Sequence, residues 1–188
     1  PDRGISRTRP ATDVDAPLSI GFAAGGTPVN RCTIIRSDDG PATSNTARYT
    51  RTDEGVGSIS AAITSMVCRG TVTAWLSDGF RINWAEVDSS ARYFFFIALK
   101  GGSYAVGSVT TLTDTVTDIV TPNLGFTPAG GFLASICKSE SAADTLDADA
   151  ELSLGGFVSA TNRGAHATID VDNQADTVCA SAVEFDEV

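Results

Sequence analysis

The sequence has little of the chemistry that most hydrolytic and metal sites require. It contains one histidine, His166, within a strand-like segment where a packed or exposed residue is commoner than a catalyst. No Gly-x-Ser-x-Gly elbow, phosphate loop or dinucleotide fingerprint accompanies it. The sequence therefore predicts no catalytic residue, and we expect the chain not to be an enzyme.

Cysteine pairs with metal-site spacing are also missing. The four cysteines lie far apart, with no Cys-x-x-Cys pair, at Cys32, Cys68, Cys137 and Cys179. This spacing argues against a structural zinc site. Buried free thiols are one interpretation, and two long-range disulfides are the other if the protein works outside the cell.

Basic residues and long apolar runs are scarce as well. Acidic residues outnumber basic ones by 23 to 13, the net charge is −10, and the only lysines are Lys100 and Lys138. Nothing supplies a basic stripe for a phosphate backbone, so no nucleic-acid partner is expected. No apolar run approaches the length of a membrane span, so no membrane partner is expected either.

Strand patterns dominate what is present. Short apolar or alternating runs are separated by turn signals, and only residues 58–67 could compete as a short helix. The Asp78-Gly79 pair predicts a hairpin, because Asp-Gly readily takes positive φ. Residues 92–99 are predicted as a buried central strand, with residues 103–111 as its partner. Further strands are predicted over 115–120, 131–136 and 166–171. The pattern is typical of an all-β fold with antiparallel β-sandwich or jelly-roll-like units.

An internal repeat indicates a tandem duplication. Residues 13–21 match residues 147–155 at an offset of 134, with six of nine positions identical. Residues 67–72 resemble residues 178–183 at an offset of 111, so the first copy carries 23 additional residues (134 − 111) between the two matches. The polar stretch 36–57 is predicted to hold them as a long surface loop.

The duplication predicts a first sandwich copy over residues 1–112 and a second over residues 113–188. Counterparts of segments in one copy would fall before Pro1 or after Val188. We therefore expect the first copy to lack its N-terminal part, the second to lack its C-terminal part, and the chain to be a segment of a longer polypeptide. The alternative is that its termini lie where two copies complete one another's sheets.

Two sets of residues are candidate binding sites. Two Asp-x-Asp pairs recur between the copies, and on a strand each pair would present both carboxylates on one face, where they could bind calcium: Asp13, Asp15, Asp147 and Asp149. The alternative is that they cap turns and remain solvated. Three aromatic residues, Trp75, Trp84 and Tyr93, could stack on sugar rings, although packing in the core is the competing interpretation. No other cofactor is expected.

Several motifs together resemble the tandem-repeat structural proteins of tailed bacteriophages and related particles. They are Gly125-Phe126-Thr127-Pro128 before an apolar strand, Leu152-Ser153-Leu154-Gly155, the run from Asp78 to Trp84, and Tyr93 through Gly102. The resemblance implies a non-enzymatic tail, fibre or capsid-surface component with β-sandwich units, located in a virion or outside the cell. Its expected partners are other virion proteins and copies of itself.

Two other functions stay open at this point. One is a carbohydrate-binding β-sandwich module of a secreted or fibre protein, which would take a cell-surface glycan as its partner. The other is a polysaccharide depolymerase, which would draw two carboxylates from different strands.

Overall fold

The fold is all-β, as the sequence predicts. A computed structural model describes residues 15–38, 42–111, 124–159, 161–174 and 179–187, and within these ranges it contains eleven strands and no helix. The strands are β1 (Asp15–Ala24), β2 (Val29–Asp38), β3 (Asn45–Arg51), β4 (Val56–Ile59), β5 (Met66–Trp75), β6 (Phe80–Glu86), β7 (Gly131–Ser135), β8 (Asp147–Ala148), β9 (Ala150–Phe157), β10 (Asn162–Asp170) and β11 (Cys179–Glu187).

The strands form three antiparallel sheets. Sheet I has the order β1-β2-β3-β8, sheet II the order β4-β5-β6, and sheet III the order β11-β10-β9-β7. Sheets I and II pack into a sandwich, because alternate residues of β2, β3 and β5 are buried and point to one side, and most of them are apolar. The resulting core contains Cys32, Ile34, Ala47, Tyr49, Ile59 and Met66.

Several predicted strands are confirmed. The hairpin around Asp78-Gly79 is the β5–β6 connection, closed by a 2.8 Å hydrogen bond from the Leu76 amide to the Gly79 carbonyl. The positive φ expected at this pair is wrong, because neither Asp78 nor Gly79 adopts it. The predictions over 131–136 and 166–171 correspond to β7 and to the second half of β10. The strand predicted over 115–120 lies outside the described residues.

The long loop predicted over residues 36–57 is wrong. This stretch contains the end of β2, all of β3 and the start of β4. The polar composition concealed β3, whose inward positions are held by Ala47 and Tyr49 while Thr, Asn and Arg occupy most of the others. The alternative of a helix over residues 58–67 is also wrong, since a turn joins β4 to β5 there.

The buried central strand predicted over residues 92–99 is wrong too. These residues form no strand, and most of their large side chains are exposed. Residues 103–111, the predicted partner, likewise form no strand. Apolar side chains lie on both faces of the 92–99 segment, and this composition is typical of a strand that is buried on both faces. In the structure the rest of the chain covers at most one face of the segment.

The two matched segments of the repeat behave differently in the fold. The first match places β1 and β9 in equivalent antiparallel hairpins: Gly21 pairs with Cys32 of β2, and Gly155 pairs with Ala165 of β10. The second match links β5 with β11, but β5 is the central strand of sheet II, whereas β11 extends the β9–β10 hairpin. In sheet I that position beside the hairpin belongs to β3. The division at residue 112 stays a prediction, because residues 112–123 lie outside the described ranges.

A buried charged cluster joins the two layers of the sandwich. Tyr49 is fully buried, and its hydroxyl donates a 3.0 Å hydrogen bond to the Glu54 carboxylate. Glu54, itself only 6% exposed, accepts a 2.8 Å hydrogen bond from Arg69 of β5, which also contacts Glu86 at 3.2 Å. The hydroxyl and both charges are therefore partnered, as buried polar groups require.

The chain passes from sheet I to sheet III at a single residue. The short β8 pairs with β3, and β9 then pairs with β7 and β10. Between them Asp149 has a left-handed backbone with φ of 66°, a conformation that Asp tolerates better than most residues. Strands that bend between sheets are a known way of making a sandwich corner.

The close approach of the two layers at Gly21 gives a testable prediction. A Cβ at Gly21 would overlap the Gly55 carbonyl oxygen, so we expect Gly21→Ala to lower the free energy of unfolding by about 1–3 kcal/mol, measured by urea denaturation. Gly155→Ala is the matched control, because a Cβ there meets its nearest atom at 3.6 Å. Equal losses in the two variants would contradict the close approach.

Candidate binding surface

The most distinctive surface of the chain is aromatic. Three residues of the β5–β6 hairpin and two of the segment that follows form two groups of ring contacts, Trp75–Phe80–Phe96 and Trp84–Phe94. We call these five residues the aromatic surface, and we call residues 92–99 the arm. Both tryptophans are more than one-third exposed.

The β6 strand positions one half of this surface. Trp84 is in register with Gly70 of β5, and a Cβ at Gly70 would lie 2.9 Å from the Trp84 ring and 2.8 Å from Ile82. The absence of a side chain at Gly70 thus gives the Trp84 indole room to lie across β5. Phe80, Ile82 and Trp84 are alternate residues of β6 and point to the same face.

The arm supplies the other half. The ring centroids of Phe94 and Trp84 are 5.6 Å apart, and those of Phe96 and Phe80 are 5.1 Å apart in an edge-to-face arrangement. Both distances lie in the favourable range for aromatic pairs. The even-numbered rings of the arm therefore pack on β6, whereas the odd-numbered side chains point away from it.

The three residues predicted to stack on sugars do not form one platform. Trp75 and Trp84 lie towards opposite ends of the β5–β6 hairpin, and the Trp75 indole donates a 2.6 Å hydrogen bond to the Gly25 carbonyl. Tyr93 is on the outward side of the arm and is almost completely exposed. The tryptophan rings contact Phe80 and Phe94 instead, two residues that the sequence analysis did not assign to a site.

The Asp-x-Asp pairs do not show the predicted arrangement where it is described. Asp147 accepts hydrogen bonds from Lys138 and, at 2.8 Å, from Ser141. Asp149 lies on the left-handed bend, which breaks the alternation of a strand, and it accepts the Asp172 amide at 2.9 Å. Asp13 and the Asp15 side chain lie outside the described part. Within that part, no group of three or more His, Cys, Asp or Glu residues is placed to hold a metal ion.

A polar seam connects the two halves of the chain near Asp149. The Thr46 amide donates to Asp172 at 2.9 Å, and the Ser44 hydroxyl donates to the Val171 carbonyl at 2.6 Å. Farther along β3, Arg48 forms an ion pair with Glu151 of β9. Asp147 and Asp149 thus belong to the structural joint between sheets I and III.

The single histidine lies beside a shallow groove on sheet III. The groove has a volume of about 560 Å³, and its lining includes His166, Arg163, Phe132, Leu154 and Val183. Among the described residues that line it there is no Asp, Glu, Ser or Cys that could act with His166. The described lining of the groove is mostly apolar, and its polar residues are Asn162, Arg163 and His166.

The described cysteines are free thiols. Cys32 and Cys68 are buried and Cys137 is exposed, whereas the side chain of Cys179 lies outside the described part. Burial raises the pKa of Cys32 to about 12 and also raises the pKa of Cys68, so both thiols stay protonated at neutral pH. Cys32 and Cys68 thus have the buried free thiols of the first interpretation.

Comparisons with family models, with curated proteins and with solved structures find no match to this chain. The described residues form no helix that is long and apolar enough to cross a membrane.

The carboxylate of Asp147 gives a pH-dependent prediction. Burial raises the pKa of Asp147, but the hydrogen bonds from Lys138 and Ser141 outweigh it, so the pKa falls below its ordinary value of 3.8. A lowered pKa in the folded state stabilises the fold above pH 3.8, and this contribution is lost as the pH falls through the folded-state pKa. We expect Asp147→Asn to lower the free energy of unfolding by about 1–2 kcal/mol at neutral pH.

The deficit of the variant should shrink as the solution is acidified, because the wild-type carboxylate becomes protonated. Urea denaturation at several pH values measures it. Asp78→Asn, in the exposed β5–β6 turn, is the control and should follow the wild type throughout. A deficit that is constant with pH would show that the charge of Asp147 contributes nothing.

Proposed function

We propose that this chain is a non-enzymatic structural component of a phage-type virion or of a similar extracellular assembly. In this role it makes contacts between subunits and presents surface to the outside. Its partners are other proteins of the particle and further copies of itself. The motifs from Gly125 to Pro128 and from Asp78 to Trp84 that resemble phage tandem-repeat proteins support this assignment.

The observation that carries the proposal is the exposed apolar surface of the arm. Every second residue of the arm is at least two-thirds exposed, namely Tyr93, Phe95, Ile97 and Leu99. Single exposed apolar residues need no explanation, but contiguous patches of this kind mark interaction surfaces. A subunit of an assembly has such a surface covered by its neighbours.

The proposal predicts that the chain is found in particles. Antibody raised against the recombinant protein should detect it in purified particles, cosedimenting as a band at a level comparable to other structural proteins. An unrelated acidic protein from the same lysate serves as the control for trapping. Recovery of the chain only from the soluble fraction would contradict the proposal.

A second candidate function is carbohydrate binding, which the exposure of Trp75 and Trp84 favours. Exposed indole rings on a sheet face offer flat apolar surfaces against which a sugar ring can stack. The tilted packing of Phe94 on Trp84 and the edge-to-face packing of Phe80 on Trp75 would hold both rings in place. This function would also suit an extracellular fibre.

A glycan array tests the second candidate. If it is correct, the wild type binds at least one glycan, and Trp75→Ala and Trp84→Ala each weaken binding by about tenfold, since a stacked aromatic pair contributes on the order of 1 kcal/mol beyond its buried area. Tyr104→Ala, which removes an exposed ring outside the aromatic surface, is the control. Binding that survives both tryptophan substitutions would exclude this surface as the glycan site.

A further inference from the structure

The arm has one partly covered face and one open face. Phe94 and Phe96 are directed towards β6, and they are 37% and 69% exposed. On the other side Tyr93 is 94%, Phe95 98% and Ile97 90% exposed. This alternation is that of an extended chain. Leu99 continues the open side, and we call these four odd-numbered residues the outward face.

The outward face is large enough to form most of a protein interface. Aromatic side chains bury about 150–250 Å² each, so two aromatic and two large aliphatic side chains offer on the order of 600 Å². Two such faces together bury on the order of 1,200 Å², which is the lower end of the roughly 1,200–2,000 Å² that specific interfaces bury.

Charge favours a second copy of the same chain as the partner. The chain carries a net charge of −10, yet there is no Asp or Glu between residues 89 and 113, where Arg92 and Lys100 are the only charged residues. Two identical acidic molecules repel one another across most of their surfaces. At the arm they can meet without bringing carboxylates together.

The backbone of the arm is also available for pairing. No backbone–backbone hydrogen bond joins residues 92–99 to another described residue. The sequence Tyr-Phe-Phe-Phe-Ile is rich in residues that favour strands. An exposed chain of this kind is a template for association with another chain.

We propose that a second copy of this chain covers the outward face, in a two-fold symmetric interface that packs the outward faces of the two arms against each other. In a two-fold interface the same patch is used on both subunits, so the patch must be compatible with itself, and an uncharged apolar face meets that condition. This inference rests on the proposed function, for which it names one contact between subunits. It also explains why the arm has the sequence of a buried strand and the exposure of a surface segment.

The test is the mass of the purified chain in solution. Sedimentation equilibrium should give twice the 19.4 kDa of one chain, and added salt should strengthen the dimer by screening the repulsion between acidic bodies. Phe95→Glu should weaken dimerisation by on the order of a hundredfold, because it places two carboxylates in an apolar contact. Since Phe95 is exposed in the single chain, the variant should fold, which circular dichroism and thermal unfolding check.

A matched control and a charge exchange make the test specific. Val158→Glu introduces the same charge at an exposed apolar residue directly after β9, and it should leave the dimer intact. Phe95→Lys alone should also be monomeric, whereas an equal mixture of Phe95→Lys and Phe95→Glu should form a mixed dimer. A monomeric wild type, or a dimer unaffected by Phe95→Glu, would overturn the inference.

The outcomes separate this inference from the proposed function. A wild-type monomer that nevertheless cosediments with particles would end the inference and leave the proposed function standing. A dimer that depends on Phe95 but is absent from particles would support the inference and end the proposed function.

Discussion

The sandwich of sheets I and II depends on the ion pair between the buried Glu54 and the partly buried Arg69. Burial, reinforced by the negative charge of Glu54, raises the pKa of Tyr49, so its hydroxyl stays protonated and can donate to Glu54. Arg69 neutralises the carboxylate that Tyr49 requires as its acceptor. The next residue, Gly55, donates its amide to the Gly70 carbonyl, and its own carbonyl lies against Gly21. The ion pair and the close approach of the two layers thus lie at neighbouring residues.

How far the sequence predicts this fold depends on which interactions shape each element. The β5–β6 hairpin was predicted correctly from Asp78-Gly79, but the predicted positive φ was not its cause, because neither residue has it. The connection is instead a four-residue loop, Leu76 to Gly79, closed by the bond between the Leu76 amide and the Gly79 carbonyl. The strand β3 was missed because its solvent-facing and seam-facing positions carry Thr, Asn and Arg, so its apolar alternation is reduced to Ala47 and Tyr49. Its pairing with β2 is local, but its pairing with β8 joins Ala47 to Ala148 far along the chain, which no local pattern contains.

The candidate sites were predicted from residue type alone. The structure shows which of these residues are exposed and which other side chains they contact. Trp75 and Trp84 are at the surface as the binding hypothesis requires, but their ring partners, Phe80 and Phe94, could be assigned only once the path of the arm was known. The apolar composition of the arm was interpreted as burial within the chain. The same composition is equally suited to burial between chains, and a single sequence does not distinguish the two.

The single-residue passage at Asp149 has a mechanical consequence. Residues 147–157 are almost continuous strand, hydrogen-bonded to β3 at one end and to β7 and β10 along the rest. Tension between the two halves is therefore carried by ladders of backbone hydrogen bonds and by the Arg48–Glu151 ion pair, all of which share the load. A flexible linker would lengthen before it resisted tension. This joint, which is hydrogen-bonded on both sides of Asp149, transmits the force directly from one sheet to the next.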